Sequence, residues 1–385
     1  MIHIVWVTNI PTPYRNHRYE RMAALFPALG LSFEVHFMAW TESNRPWVYT
    51  SSDLHYPHRV HRGVNLEWVA DPFHVNPGLV WWLARHPSDV LVVGGWASPN
   101  AFSAPWVVPS RTLRLLESES NPSSSRYIAG PARWLKGAAV RRYHGYIGPG
   151  RRSRELLALL DPTSAERPFL EFPNLIDKGV FGDGTTAARA RRTELRRALA
   201  IPDETQLWVC PARLEPYKGL HLLLPLLRGL ERIRLDVCGE GTQRAELQAM
   251  IDAQNLPVRL VGQRSEAEMV ELYAAADLFV LPSINDASPL SAIEACAAGL
   301  PVFVSRRVGN FEDVVDDDNG WGFDADRPES NRELIARIAA TPLDRLAAMG
   351  RRSREIYDRR FDSDMCVRRL GEGIRDLHAR QAREA

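Results

Sequence analysis

Arg213 and Lys218 stand five positions apart in PARLEPYKGLHLLL, in a loop that follows an apolar run and leads into a helix opening at Gly219. Fixed positive charge beside the unpaired backbone N–H groups of a helix start makes a site for a diphosphate. The competing view is a pair of solvated surface cations. Of 48 basic residues only Lys136, Lys178 and Lys218 are lysine, so a lysine kept against that arginine background favours a specific role. A second segment, SINDASPLSAIEACAAGLPVFVS, places Asp286 and Glu294 eight apart across a loop and a helix. With Pro289 in the first helical position, Ser288 is expected to cap the helix, leaving the N–H groups of Leu290 and Ser291 to face an anion. Glu294, one turn on, then suits bidentate hydrogen bonding to ribose hydroxyls. The alternative is a solvated carboxylate on an ordinary amphipathic helix.

Loops of this kind need strands behind them. In the second half QLWVCPA, RIRLDVCGEG, PVRLVGQ, ADLFVLPS and LPVFVS read as successive strands, separated by helical windows near residues 219 to 229, 241 to 254, 265 to 276 and 290 to 299. That alternation predicts an α/β fold with a doubly wound parallel sheet. The first half repeats it with strands at HIVWVT, SFEVHFMA, NLEWVA, DVLVVGG, TLRLLE, GYIGPG and PFLEF, and helices near residues 14 to 29, 77 to 86, 131 to 143 and 151 to 160. Between the halves, FPNLIDKGVFGDGTTAARARR mixes Pro, Gly, Thr and charge as an exposed linker does. Two such sheets place a cleft between their carboxyl edges, where ligands of open α/β sheets bind.

Taken together, ARLEPYKG, the turn Gly239-Glu240-Gly241, VGQRSEAEMVELYAAADLFVLPS, the acid-x7-Glu spacing and GLPVFVSRRVGNFEDVV resemble the retaining family four glycosyltransferases, of GT-B fold. PNLIDKGVF resembles that family's Pro-Asn-x-x-Asp linker signature. The resemblance runs through residues 170 to 357; in the first half it rests on IPTPYR and YIGPGRRSRELL. It implies two Rossmann-like domains facing a central cleft: an acceptor-binding domain over residues 1–172, a nucleotide-sugar-binding domain over 173–358, and a closing helix over 359–385 that is a candidate to pack back on the first. It further implies transfer of a sugar from a nucleoside diphosphate sugar, as co-substrate, with retention at the anomeric carbon and without a metal or other cofactor. Arg213 and Lys218 would stabilise the leaving diphosphate, Glu294 would hold the ribose, and the Gly239 and Gly241 turn and the Ser288, Leu290 and Ser291 helix start would line the nucleotide site. Asp286 stands where the family usually has glutamate and would contact donor-sugar hydroxyls.

Two departures fall in the first half. Many members have a Gly-Gly loop after the first strand, where this chain reads Asn9-Ile10-Pro11-Thr12-Pro13-Tyr14-Arg15; Arg15 is the candidate substitute, with a surface salt bridge as the alternative. Many also have a histidine after a first-domain strand, where this chain reads LLESESNP; Glu119 is the candidate there, with Glu117 beside it. Trp96, directly beyond a strand in VVGGWASPN, is placed to stack on a sugar or a flat acceptor.

Composition bounds the rest. The 385 residues favour two domains, and 48 basic against 47 acidic side chains give a formal charge of +1, so no field exists to gather nucleic acid. The four cysteines, Cys210, Cys238, Cys296 and Cys366, form no Cys-x-x-Cys pair, which fits a reducing cytoplasm. Asp316-Asp317-Asp318 leads into Asn319-Gly320 and reads as a turn, and His58 and His61 lack a third ligand, so no metal site is expected. No apolar run reaches the length of a membrane span. Residues 126 to 154 hold eight basic residues and no acid, which suits a solvated helix face first and peripheral contact with anionic lipid second. The acceptor is therefore expected to be a small molecule or a lipid-linked one. Two rival functions stand beside transfer: a GT-B sugar-nucleotide epimerase, which needs acids and a histidine converging from both sides, and a noncatalytic sugar-nucleotide-binding subunit.

Overall fold

The computed structural model describes residues 1–42, 48–66, 73–95, 98–122, 125 and 130–384. The chain divides into two units: unit 1 is Met1–Leu175 with Ser363–Ala385, and unit 2 is Ile176–Asp362.

Unit 1 is built on β1 (Ile2–Thr8), β2 (Leu31–Phe37), β3 (His58–Val60), a small antiparallel pair β4 (Val64–Asn65) and β5 (His74–Val75), then β6 (Val90–Gly94), β7 (Leu113–Glu117), β8 (Gly145–Gly148) and β9 (Phe169–Glu171). Seven of these make a wholly parallel sheet of order β3-β2-β1-β6-β7-β8-β9. Central strands covered on both sides read as unbroken apolar runs; in β1 the alternation sends Ile4 and Trp6 to one core and Val5 and Val7 to the other. The first core is closed by the helices Pro13–Leu25 and Ser363–Glu384, the second by Pro77–Arg85, Pro99–Val107, Gly130–Val140 and Arg151–Leu160.

Unit 2 holds β10 (Gln206–Pro211), β11 (Ile233–Cys238), β12 (Val258–Leu260), β13 (Leu278–Leu281), β14 (Val302–Ser305) and β15 (Gly320–Phe323), all parallel, in the order β12-β11-β10-β13-β14-β15. This is the doubly wound order, and it reverses between β10 and β13. One core runs through the unit from Trp208 and Val209 to Ile335 and Tyr357.

Two sequence expectations are revised. The single helix expected over residues 219 to 229 is a short helix, Leu220–Leu223, followed by a 3₁₀ turn, Leu224–Leu227, because Pro225 cannot donate to a continuing helix. The stretch taken as an exposed linker is folded: a π-helical turn, Gly179–Gly184, and the helix Thr185–Arg189 bury Phe181, Gly182, Thr185 and Ala188 in unit 2. The closing helix expected over residues 359–385 is Ser363–Glu384, which falls in unit 1 and buries Cys366, Val367, Leu370 and Ile374, while the helix before it, Leu343–Arg360, belongs to unit 2.

Candidate active site

The reversal point of unit 2 is where loops can diverge from neighbouring strands, and here the loops after β10, β11 and β13 are stitched together by backbone. The Tyr217 carbonyl accepts from Ile284 N at 2.8 Å and Asn285 N at 3.2 Å. Gly219 lies at φ +70°, and a Cβ there would sit 2.2 Å from the Pro282 carbonyl oxygen. The loop after β11 is drawn equally close: Leu214 N donates to Glu240 O at 3.0 Å, and Cβ atoms on Gly239 and Gly241 would fall 2.1 Å from Ala212 O and 2.4 Å from Leu214 O. These two glycines therefore have a structural cause within the protein, the close passage of the Arg213 loop. Their expected role at a nucleotide is not required to explain them.

This framework fixes the side chains. Lys218 ends the 3₁₀ turn Pro216–Lys218, and its Nζ donates to Asp286 Oδ2 at 2.5 Å, both side chains half-buried. It is thus not the solvated surface cation of the competing view. Arg213 is exposed, its guanidinium 5.5 Å from the centre of the Tyr217 ring, which also has Lys218 Nζ at 5.4 Å. The main chain of Asp286 is held from a fourth loop, Gly309 N donating to its carbonyl at 2.9 Å. Around these charges the Tyr217 hydroxyl, Ser283 Oγ and Asn285 Oδ1 are buried without a hydrogen-bond partner among the described residues. Sequence reasoning passed over all three, although each lies within three positions of a residue it had singled out. Buried polar atoms left unsatisfied are costly, and they mark a place where a polar ligand would be rewarded.

The helix that carries the second acid begins at Leu290, with Pro289 as its N-cap and no capping side chain. Ser288 is therefore not the cap that was expected, because the cap position falls one residue later. The first-turn N–H groups of Leu290 and Ser291 still have no intrahelical acceptor. Glu294 is half-buried, and Tyr273 donates its hydroxyl to Glu294 Oε2 at 3.0 Å. Burial raises the Glu294 carboxyl to about 7, against the lowering effect of that hydrogen bond. At neutral pH this carboxyl is poised between acceptor and donor.

In unit 1 the carboxyl edge of the sheet gathers a second polar group. Glu117, at the end of β7, is buried and accepts from Trp6 Nε1 at 2.9 Å and from Arg18 Nη1 at 2.6 Å, so it is a structural acid. Glu119, two residues on, is half-buried and pairs with Arg15 at 3.5 Å. Arg15 lies in the first turn of Pro13–Leu25, so both first-domain candidates fall at one place, as partners of each other. Glu119 Oε1, Thr12 Oγ1 and Ser118 Oγ there are buried without a hydrogen-bond partner among the described residues, although Arg18 Nη1 lies 3.9 Å from Glu119 Oε1. Trp96 lies outside the described residues.

Other acids and histidines are accounted for locally. Asp316 holds the N–H of Asp318 and the guanidinium of Arg352, and Asn319 returns a bond to Asp316 N, which makes the triplet a turn. His58 is held by Ser51 and the Tyr56 carbonyl, while His61 shares a 2.8 Å bond with His36. Among the described residues no three His, Cys, Asp or Glu converge as a metal site would need.

Residues 191–356 match the family described as "Glycosyl transferases group 1". A D-inositol 3-phosphate glycosyltransferase of Segniliparus rotundus is 32% identical over 189 residues, 46% of this chain and 40% of that protein. A glycogen synthase of Mycobacterium tuberculosis is 29% identical over 304 residues, 77% of this chain and 66% of that protein. The alignments thus cover less than two thirds of either relative. Among solved structures, Anabaena HepE in complex with UDP and glucose superposes with a TM-score of 0.72 at 16% identity, covering 98% of this chain and 100% of that one. At that identity the likeness speaks for the fold, which is GT-B.

Proposed function

We propose that this chain, a GT-B protein whose residues 191–356 are a group 1 glycosyltransferase region, transfers a sugar from a nucleoside diphosphate sugar to a small or lipid-linked acceptor, with retention and without a metal. The observation that carries this is the pairing of Lys218 with Asp286 beside the exposed Arg213, at the carboxyl edge where the strand order reverses. In the proposed reaction the anomeric carbon–oxygen bond to the diphosphate breaks and its electron pair goes to the leaving phosphate. Arg213 and Lys218 meet that growing charge, and preorganised cations are most effective where charge develops. Asp286 orients the ammonium and accepts from donor-sugar hydroxyls. Glu294, held by Tyr273, takes the ribose. The structures of Anabaena HepE with UDP and with UDP-glucose support a uridine nucleotide as the first donor to try.

Purified protein incubated with a panel of nucleotide sugars should release nucleotide slowly from one of them, and Lys218→Ala should abolish the release. Accumulation of an isomerised sugar nucleotide would instead identify an epimerase. Tight nucleotide binding with neither product would identify a binding subunit.

A further inference from the structure

Exposed tryptophan is uncommon, because the indole is large and mostly apolar. Among the described residues three tryptophans are exposed, Trp81 at 56%, Trp106 at 64% and Trp134 at 71%. They lie on the helices Pro77–Arg85, Pro99–Val107 and Gly130–Val140, which together cover the same face of the unit 1 sheet. Each has an arginine beside it. The Arg85 guanidinium is 4.1 Å from the Trp81 ring and the Arg142 guanidinium 3.6 Å from the Trp106 ring. Arg133, next to Trp134 in sequence, donates Nε to the Leu159 carbonyl at 2.8 Å.

The clearest apolar patch is on Gly130–Val140. That helix presses Gly137 so close to its neighbour Arg151–Leu160 that a Cβ would fall 2.6 Å from Leu160 O, and Val140 is buried. With that side of the helix spent on packing, Trp134 and Leu135 are left exposed, joined by Leu159 at 48%. The charge around them is mostly positive. The described residues 130–154 hold seven basic residues and no acid. Two of the nearby acids are matched by arginines: Asp161, almost wholly buried, lies 3.5 Å from Arg141, and Glu155 pairs with Arg151 at 2.9 Å. None of this is used by the nucleotide-sugar site.

We propose that this helical layer docks on an anionic bilayer, with Trp134 and Leu135 entering the headgroup region and Arg133, Lys136 and Arg142 meeting lipid phosphates. An indole suits that interface because its ring is apolar and its N–H polar. Clustered Lys and Arg supply the attraction to anionic headgroups. The contact is peripheral, as no helix among the described residues is long and apolar enough to cross a membrane. The proposal goes beyond the transfer reaction and stands or falls apart from it.

The test is co-sedimentation of the full chain with vesicles of phosphatidylcholine alone or containing about 30% phosphatidylglycerol, at low and high salt. Wild type should pellet with the anionic vesicles, less so in high salt, and remain in solution with the neutral ones. The double variant Trp134→Ser, Leu135→Ser and, separately, Arg133→Glu with Lys136→Glu should each weaken binding about tenfold or more. All four residues are outside the buried core, so circular dichroism should show an unchanged fold. Lys218→Ala should lose transfer yet pellet like wild type, which separates this proposal from the proposed function. Wild type staying in solution with both vesicles would overturn it, as would variants that pellet undiminished. A dimer in sedimentation velocity that Trp134→Ser, Leu135→Ser turns into monomers, without vesicle binding, would also overturn it and assign the patch to a second copy.

Discussion

Lys218 and Asp286 are joined by a 2.5 Å ion pair between the loops that follow β10 and β13, neighbouring strands between which the sheet order reverses. The ammonium is thus held in place before any substrate arrives. Lys218→Ala and Arg213→Ala should each lower turnover a hundredfold or more, on the order of 3 kcal/mol for a lost charge-stabilising donor. Their stabilities should differ. Arg213 is exposed and its loss should leave the melting temperature in place, whereas Lys218→Ala removes the ion-pair partner of a half-buried carboxylate and should lower it by a few degrees, roughly 1 kcal/mol. In a double-mutant cycle with Asp286→Ala, the coupling should be on the order of 1 kcal/mol in stability. Additive effects would argue that the pair is incidental.

Activity should survive EDTA unchanged, since Arg213 and Lys218 supply the positive charge at the proposed diphosphate position and Asp316 is engaged by Arg352. Complete loss restored by manganese would contradict this.

The Glu294 carboxyl, raised to about 7 from an ordinary 4.5, makes a signed prediction. Between those values the unfolded chain releases a proton that the folded chain keeps, so stability should fall as pH rises from 4.5 to 7 and level off above, by at most on the order of 3 kcal/mol. Glu294→Gln should remove that fall. If the ribose is taken by the carboxylate, the donor KM should decrease as pH rises through 7, and the glutamine variant should flatten the profile.

Gly219→Ala combines a left-handed backbone with a Cβ 2.2 Å from Pro282 O. We expect a loss of about 2 kcal/mol or more, measured by denaturant, with turnover falling as well because Lys218 and Asp286 are displaced together. A variant as stable and active as wild type would show that the two loops can separate at no cost.

Glu117 and Glu119 should part company. Glu117→Ala leaves Arg18, 2% exposed, without its main partner and should destabilise by about 3 kcal/mol. Glu119→Ala breaks a looser 3.5 Å pair with Arg15 and should cost under about 1 kcal/mol, so any tenfold fall in turnover there reports function.

The architecture of unit 2 was legible because its strands are short, mostly apolar and β-branched, and its loops carry glycines and charges at fixed offsets. What the residues could not show was pairing between loops. Lys218 and Asp286 are 68 positions apart, and only the parallel register of β10 with β13 brings their loops together. Gly239 and Gly241 show the same limit: the pattern was visible, but the backbone that needs their bare Cα atoms, Ala212 to Leu214, was not. Ser288 was displaced from the cap by a single residue, within the ordinary error of helix boundaries. In unit 1, Glu117 and Glu119 look alike in the string LLESESNP, and burial alone separates the structural acid from the accessible one.

The helix Ser363–Glu384 supplies Cys366, Val367, Leu370, Ile374 and Leu377 to the same core as Ile4, Trp6 and Tyr19. During vectorial synthesis on the ribosome, the first segment to emerge therefore cannot complete its interior until the last of these residues has been translated. Unit 2, contiguous from Ile176 to Asp362, has all its own material in hand before then. The later-made half is accordingly positioned to mature first, and nascent unit 1 must wait with one side of its sheet covered only by Pro13–Leu25, a period in which chaperones would find it.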